Sequence, residues 1–219
     1  MKYLFEIKLF SILLVIYLAF GYWQSSERLT PSEVDAYIET LQQHFPKEMP
    51  ESEELFKRLR TWGYNDDGEP VYMVNLMRFY DQLKDLPNGP KNMSPEESNL
   101  LYEEISMPIL LKLGAYPLIL SKPVLLDESD KTKTNLIVYS KELDGYNRIG
   151  YIYYPGRRAF MDLITDPEYL KWADYKIAAL EVALIPTKMQ VYVPQLDFLV
   201  TFILLILFFS IAWLRAKKE

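Results

Sequence analysis

The chain has 219 residues, half of them hydrophobic, with 24 basic and 30 acidic side chains and a net charge of −6. It contains no cysteine, which excludes disulfides and thiol chemistry. The acidic balance also argues against nucleic acid as a partner, since that role requires a basic face. Near the N-terminus, residues 9–23 (LFSILLVIYLAFGYW) form an apolar run preceded by Lys2 and Lys8. A run of this length suits a signal-peptide core as well as a membrane anchor. Ala19-Phe20-Gly21 has a small-x-small cleavage pattern, whereas Tyr22 and Trp23 read as an interfacial aromatic belt. The retained anchor is the preferred reading.

Thr30-Pro31-Ser32-Glu33 is a helix start, with Thr30 as cap, Pro31 in the first turn and Glu33 three residues on. Val34, Tyr37, Ile38 and Leu41 then recur at helical spacing, up to Phe45-Pro46. A second helix is expected over 51–62, followed by a turn cluster over 63–70 (GYNDDGEP). Residues 71–79 (VYMVNLMRF) read as a strand from their β-branched and aromatic content, and 81–93 as a loop. Ser94-Pro95-Glu96-Glu97 opens a helix that ends near Gly114, with Pro108 as a point of interruption. Strands are expected at 116–126 (bent at Pro123), 135–140 and 146–154, with a charged turn over 127–133. Pro155-Gly156 leads into a helix carrying Phe160, Met161, Leu163 and Ile164. Asp166-Pro167-Glu168 caps another, running to about Val182, before a last strand at 184–193. Strand-helix-strand repeated twice predicts an α+β, ferredoxin-like arrangement, an antiparallel sheet with helices on one face. The other face of such a sheet needs a partner.

Residues 198–214 (FLVTFILLILFFSIAWL) carry no charge over seventeen positions. At about 1.5 Å per residue, roughly 17 to 25 apolar residues cross the hydrocarbon of a bilayer. Asp197 bounds this run on one side and Arg215, Lys217 and Lys218 on the other, with Tyr192 and Trp213 at interfacial positions. Basic residues outside both apolar runs place both termini in the cytoplasm. The expected organisation is an anchor at 1–23, a helical lead-in at 24–69, a ferredoxin-like domain at 70–195, and a transmembrane helix with basic tail at 196–219. That topology puts residues 24–195 outside, on the periplasmic side of a bacterial inner membrane. This middle holds 19 basic against 27 acidic residues, a net −8, which disfavours adhesion to anionic lipid.

Three stretches carry a resemblance: VYMVNLMRF (71–79), YEEISMPILLKLGAYP (102–117) and YYPGRRAFMDLITDPEYLKWADYKIAALEVALIPT (153–187). Their Asn-Leu-x-Arg-Phe, Tyr-Pro-x-Arg, Pro-Glu-Tyr and Ala-Ala-Leu elements resemble an uncharacterised bacterial family of the dimeric α/β-barrel superfamily, over roughly residues 30–190. Antibiotic-biosynthesis monooxygenases and muconolactone isomerase are relatives at superfamily level. The resemblance implies two ferredoxin-like units packed sheet to sheet, and no agreed reaction. The family places a His-Arg pair six residues after Pro-Glu-Tyr, and here that pair is Tyr175-Lys176. A tyrosine titrates near pH 10 and so does not replace histidine as a proton-transfer group near neutrality. The one histidine, His44, suits a helix C-terminus.

Candidate ligand-binding residues are few. Asn75 and Arg78 lie three apart on one strand, so a regular strand points them to opposite faces. Arg157 follows Pro155-Gly156 at a helix start, where it holds a carboxylate or forms an ion pair locking helix to sheet. Tyr102, Tyr154, Tyr169, Trp172 and Tyr175 form an aromatic, hydroxyl-bearing set. Tyr169, Trp172 and Lys176 share a helix face by spacing. That face lines a pocket for a flat ligand or simply contributes to the core, and Lys176 is a salt-bridge partner or an anion-binding cation. No phosphate loop, nucleophile elbow, metal-ligand cluster or haem-binding histidine is present, so no cofactor and no metal is expected. Two functions remain. One is a non-catalytic module in the lipid bilayer that acts as a homodimer or as an accessory subunit of other membrane proteins. The alternative is a cofactor-independent oxygenase or isomerase acting on a small aromatic or lipophilic molecule.

Overall fold

The 71–79 strand lies at the heart of the molecule. A computed structural model of the chain describes residues 4–45, 52–86, 88–126, 135–138 and 144–217. In chain order the elements are α1 (Leu4–Trp23), α2 (Pro31–His44), α3 (Ser52–Tyr64), β1 (Val71–Phe79), α4 (Pro95–Lys112) and β2 (Tyr116–Ser121). They continue with β3 (Arg148–Tyr154), α5 (Arg157–Thr165), α6 (Pro167–Ala179), β4 (Leu180–Thr187) and α7 (Leu196–Ala216). The four strands form one antiparallel sheet in the order β2-β3-β1-β4. The chain divides into two compact units, residues 1–188 and 189–219. The first holds the α+β body, and the second is dominated by α7. Both α1 and α7 are long and apolar enough to cross a membrane, and none of their described residues is buried.

Local chemistry explains most boundaries. Thr30 Oγ1 accepts from the Glu33 amide, while Glu33 Oε2 accepts from the Thr30 amide at 2.8 Å, a reciprocal cap for α2. Arg158 adds a charge-assisted bond at 2.8 Å, and with the Thr30 amide it holds the Glu33 carboxyl down at about 2. Ser94 and Glu97 cap α4 in the same way, and α4 runs unbroken through Pro108. Asp166 accepts from the amides of Glu168 and Tyr169 to start α6. Gly114 ends α4 at φ +73, and a Cβ there would strike the Trp23 carbonyl.

Every second residue of β1 from Val71 to Met77 is buried, so Met73, Asn75 and Met77 face the helices. Val34, Ile38, Phe56, Phe160, Met161 and Leu163 fill the space beneath them. Asp66 is one of the few buried charges, at 2% exposure. Its carboxylate accepts from the amides of Leu29 (2.8 Å) and Gly68 (3.1 Å) and lies 3.7 Å from the Arg157 guanidinium.

Three strand expectations need correction. Residues 135–138 are not a strand. Ile137 and Val138 are 90% and 86% exposed, and β-branched content forms strand only where a neighbouring ladder and a buried face exist. Tyr139, Ser140 and the charged turn at 127–133 lie outside the described residues. The second strand stops at Ser121, before Pro123, which cannot donate to a ladder. The last strand is Leu180–Thr187 rather than 184–193. Leu180 is extended and pairs with Phe79, so the Ala-Ala-Leu run passes from helix to strand with no loop.

The Asp66 carboxylate satisfies two amides and faces a guanidinium, so truncation leaves the two amides without their acceptor and removes one of the carboxylates beside Arg157. Asp66→Ala is expected to cost about 3–5 kcal/mol of unfolding free energy, read as a lower urea midpoint for the chain in mild detergent. An unchanged midpoint would contradict this account.

Candidate functional site

The sheet and α4 enclose a cavity of about 80 Å³. Its floor is the helix-facing side of the strands: Asn75 and Met77 of β1, Gly150, Ile152 and Tyr154 of β3, and Leu120 of β2. Its roof is one face of α4, where Tyr102, Glu103, Ser106, Met107 and Leu110 recur at helical spacing. Lys176 enters from α6. Gly150 helps to keep the space open, because a methyl group there would reach Leu120, Asn75 and Met77 at ordinary contact distances of 3.4–3.6 Å.

Four of the nine candidates, Asn75, Tyr102, Tyr154 and Lys176, line this cavity, and Tyr169 backs it through Tyr102. The Tyr102 hydroxyl donates to the Tyr169 hydroxyl at 2.8 Å, and their rings cross at 5.6 Å. Burial raises the phenol of Tyr102 well above its usual range and also raises those of Tyr154 and Tyr169, so all three are neutral at physiological pH. The Asn75 side chain donates to the Met73 carbonyl at 3.0 Å. The Lys176 ammonium lies 5.1 Å from the centre of the Tyr102 ring.

Lys176 is half-buried as a residue, with its amine end at the cavity. Among the described residues it forms no salt bridge, which corrects the expectation of a salt-bridge partner. Burial is the main force on its titration and pushes it down to about 8. Glu103 opposes that shift, and Arg148 adds to it. Glu103 is already engaged with Arg148 at 2.7 Å and accepts a hydrogen bond from Asn99 at 2.9 Å. The charges around Lys176 therefore leave one positive charge uncompensated. Desolvating an ion costs several kcal/mol, while a single desolvated cation–π contact returns on the order of 2 kcal/mol. The Tyr102 ring alone does not balance the ammonium.

The other four candidates lie elsewhere. Trp172 donates to Glu168 at 3.1 Å and packs on Tyr175 at 4.6 Å, so the expected shared face with Tyr169 and Lys176 splits in two. The Tyr175 carbonyl accepts from Ser98 at 2.7 Å, pinning α6 to α4. Arg78 is on the opposite sheet face from Asn75, as spacing requires, with Glu181 at 3.6 Å and the Tyr146 ring at 4.9 Å. Arg157 is 12% exposed on its side chain, donates to the Trp62 carbonyl and stands over the Trp62 ring. It locks α5 to α3 and to Asp66 rather than to the sheet, and borders an open cleft with Trp62 and Glu54.

Glu103 and Arg148 belong to the site, though neither stood out in the sequence. The signal is present at Arg148, which shares its strand face with Gly150, Ile152 and Tyr154 by a period of two.

No protein-family model matches the chain, and no curated protein matches it. Among solved structures, RPA0582, a protein of unknown function from Rhodopseudomonas palustris, is 21% identical with a TM-score of 0.51, over 68% of this chain and 97% of its own. Methylated RPA0582 gives 22% identity and a TM-score of 0.51, over 67% and 94%. SnoaB, a cofactor-independent oxygenase from Streptomyces nogalater, is 13% identical with a TM-score of 0.36, over 58% and 99%. The likeness to RPA0582 concerns the fold alone, and that to SnoaB is too remote to bear on function.

The depressed lysine has a testable signature. An unfolded lysine titrates near 10.4, so between pH about 8 and about 10.4 the unfolded chain binds more protons than the folded one, and stability rises with pH. The stability of the natural chain relative to Lys176→Met should climb across that window and stay flat below it. A difference independent of pH would place the amine in water.

Proposed function

We propose that the chain is a membrane-tethered α+β module that works by pairing the open face of its sheet with a second copy. The observation that carries this reading is the chemistry of that face. By strand register, Val74, Leu76, Ile149, Ala183 and Ile185 share its centre, with Ile119 on β2. Ile119 and Ile185 are 57% and 45% exposed. Beside them the rings of Tyr151, Tyr72, Tyr153 and Tyr116 form a continuous series at 4.9–5.9 Å between neighbours, with Tyr153 already buried at 9% exposure. Arg78 and Glu181 close one end of the patch and Thr187 the other. An apolar centre with a polar edge is the anatomy of a protein–protein interface.

The βαββαβ order with strands arranged 2-3-1-4 supports a ferredoxin-like reading of this body. On that reading, two copies packed sheet to sheet form a closed barrel. The length and apolarity of α1 and α7, together with the flanking basic residues, support spanning helices with both termini in the cytoplasm and the body outside, in a bacterial inner membrane. Other membrane-protein subunits are the competing occupants of the face.

Enzymatic turnover of an aromatic or lipophilic molecule, with an oxygenase or isomerase as the type, ranks second. Pockets for drug-sized ligands span roughly 300–1,000 Å³, and the cavity of about 80 Å³ is well below that range.

Light scattering of the full chain in mild detergent should report two copies, and Val74→Lys at the centre of the face should give one. A natural chain that is already single, or a Val74→Lys variant that stays paired, would sink the proposal. The absence of native cysteine allows a separate test of topology. A cysteine replacing exposed Lys122 should react with a membrane-impermeant maleimide in intact cells. Labelling only after lysis would reverse the orientation.

A further inference from the structure

We infer that the cavity between α4 and the sheet takes a short-chain monocarboxylate, its carboxylate against the Lys176 ammonium and its alkyl end against Met107, Leu110 and Ile152. Four observations converge on this class of ligand. The ammonium reaches the cavity wall and forms no salt bridge among the described residues, although Glu103 and Arg148 are close enough to influence it. Those two are bound to each other at 2.7 Å, so neither is available as its counter-ion. One positive charge in a desolvated site selects for one negative charge. Tyr102, Tyr154 and Tyr169, the other titratable groups around it, are neutral phenols that supply none.

The rest of the wall sets size and polarity. Ser106 adds a hydroxyl beside the ammonium's ring partner Tyr102, and most of the remaining lining is aliphatic or thioether. A space of about 80 Å³ is far below that of a drug-sized ligand pocket, so it suits a small acid rather than an extended one. A wider cleft of about 540 Å³ lies alongside and shares Leu120 with the cavity. Arg148 lines the cleft and its partner Glu103 lines the cavity, so the ion pair stands between the two and marks the route of entry.

Isothermal titration of the full chain in mild detergent tests the assignment, with sodium propionate as probe and propionamide as its neutral isostere. Propionate is expected to bind at least tenfold more tightly than propionamide, and Lys176→Met to lose at least tenfold in propionate affinity. Gly150→Ala, whose methyl group fits without a clash, should weaken butyrate more than acetate by narrowing the space. Equal affinity for the acid and the amide, undiminished binding by Lys176→Met, or no binding of any of the three acids would overturn the assignment. The number of copies by light scattering is a separate readout, so failure here is distinguishable from failure of sheet pairing.

Discussion

One buried carboxylate holds together parts of the chain that are far apart in sequence. Asp66 accepts the amide of Leu29, just before α2, and that of Gly68 in its own turn. The Asp66 backbone carbonyl accepts from Arg28, and Arg157 from the start of α5 faces the carboxylate. Through these contacts the segment that leaves α1, the end of α3 and the entry to β1 share one node. An ionised group at 2% exposure is costly unless its oxygens are filled, and here the filling comes from backbone that would otherwise be orphaned. The packing of α2 and α3 under the sheet, and hence the shape of the core, follows from that requirement.

The sheet presents two chemistries because a strand alternates its side chains. Asn75 and Met77 point to the helices and border the cavity, while Val74 and Leu76 point away and form the open face. A change on one face is therefore separable from a change on the other, although the two share a backbone. The same alternation on β3 sends Tyr154 inward and Tyr151 and Tyr153 outward. The high tyrosine content thus serves two purposes: a buried hydroxyl pair around Lys176, and a row of amphipathic rings suited to a contact surface.

Much of this is legible in the sequence. The two capping boxes specify local structure through hydrogen bonds within a few residues, and both formed as expected; the 71–79 strand, read from its β-branched and aromatic content, and the helix after Pro155-Gly156 are also present. Opposite placement of Asn75 and Arg78 followed from the period of two. Most of the differences arise from tertiary context. Ile137 and Val138 look like strand by composition, yet no strand pairs with them among the described residues. Trp172 has the spacing of a pocket residue, but Glu168, one turn away, takes its indole N–H. The ion-pair alternative for Arg157 is the one seen, but its partners, Asp66 and Asp67, lie some ninety residues earlier in the chain and tie it to α3 rather than to the sheet. Glu103 and Arg148 passed unnoticed for the same reason, since no local pattern tells one charged residue that another 45 positions away will face it.

The junction between α1 and the body has no slack. The Trp23 indole donates to the Leu111 carbonyl at 3.0 Å and stacks on Tyr116, Gln24 bonds the Gly114 carbonyl at 2.9 Å, and Arg158 grips the carbonyls of Glu27 and Arg28. Tyr116 is the edge ring of the open face. Under the membrane anchoring and sheet pairing proposed above, lateral diffusion would confine such molecules to a plane, and this junction would present every copy's sheet at one height and one tilt. Collisions then sample little more than rotation about the membrane normal, so much of the orientational entropy of association is lost before two copies meet. A face too small to hold a soluble pair together would suffice under that geometry.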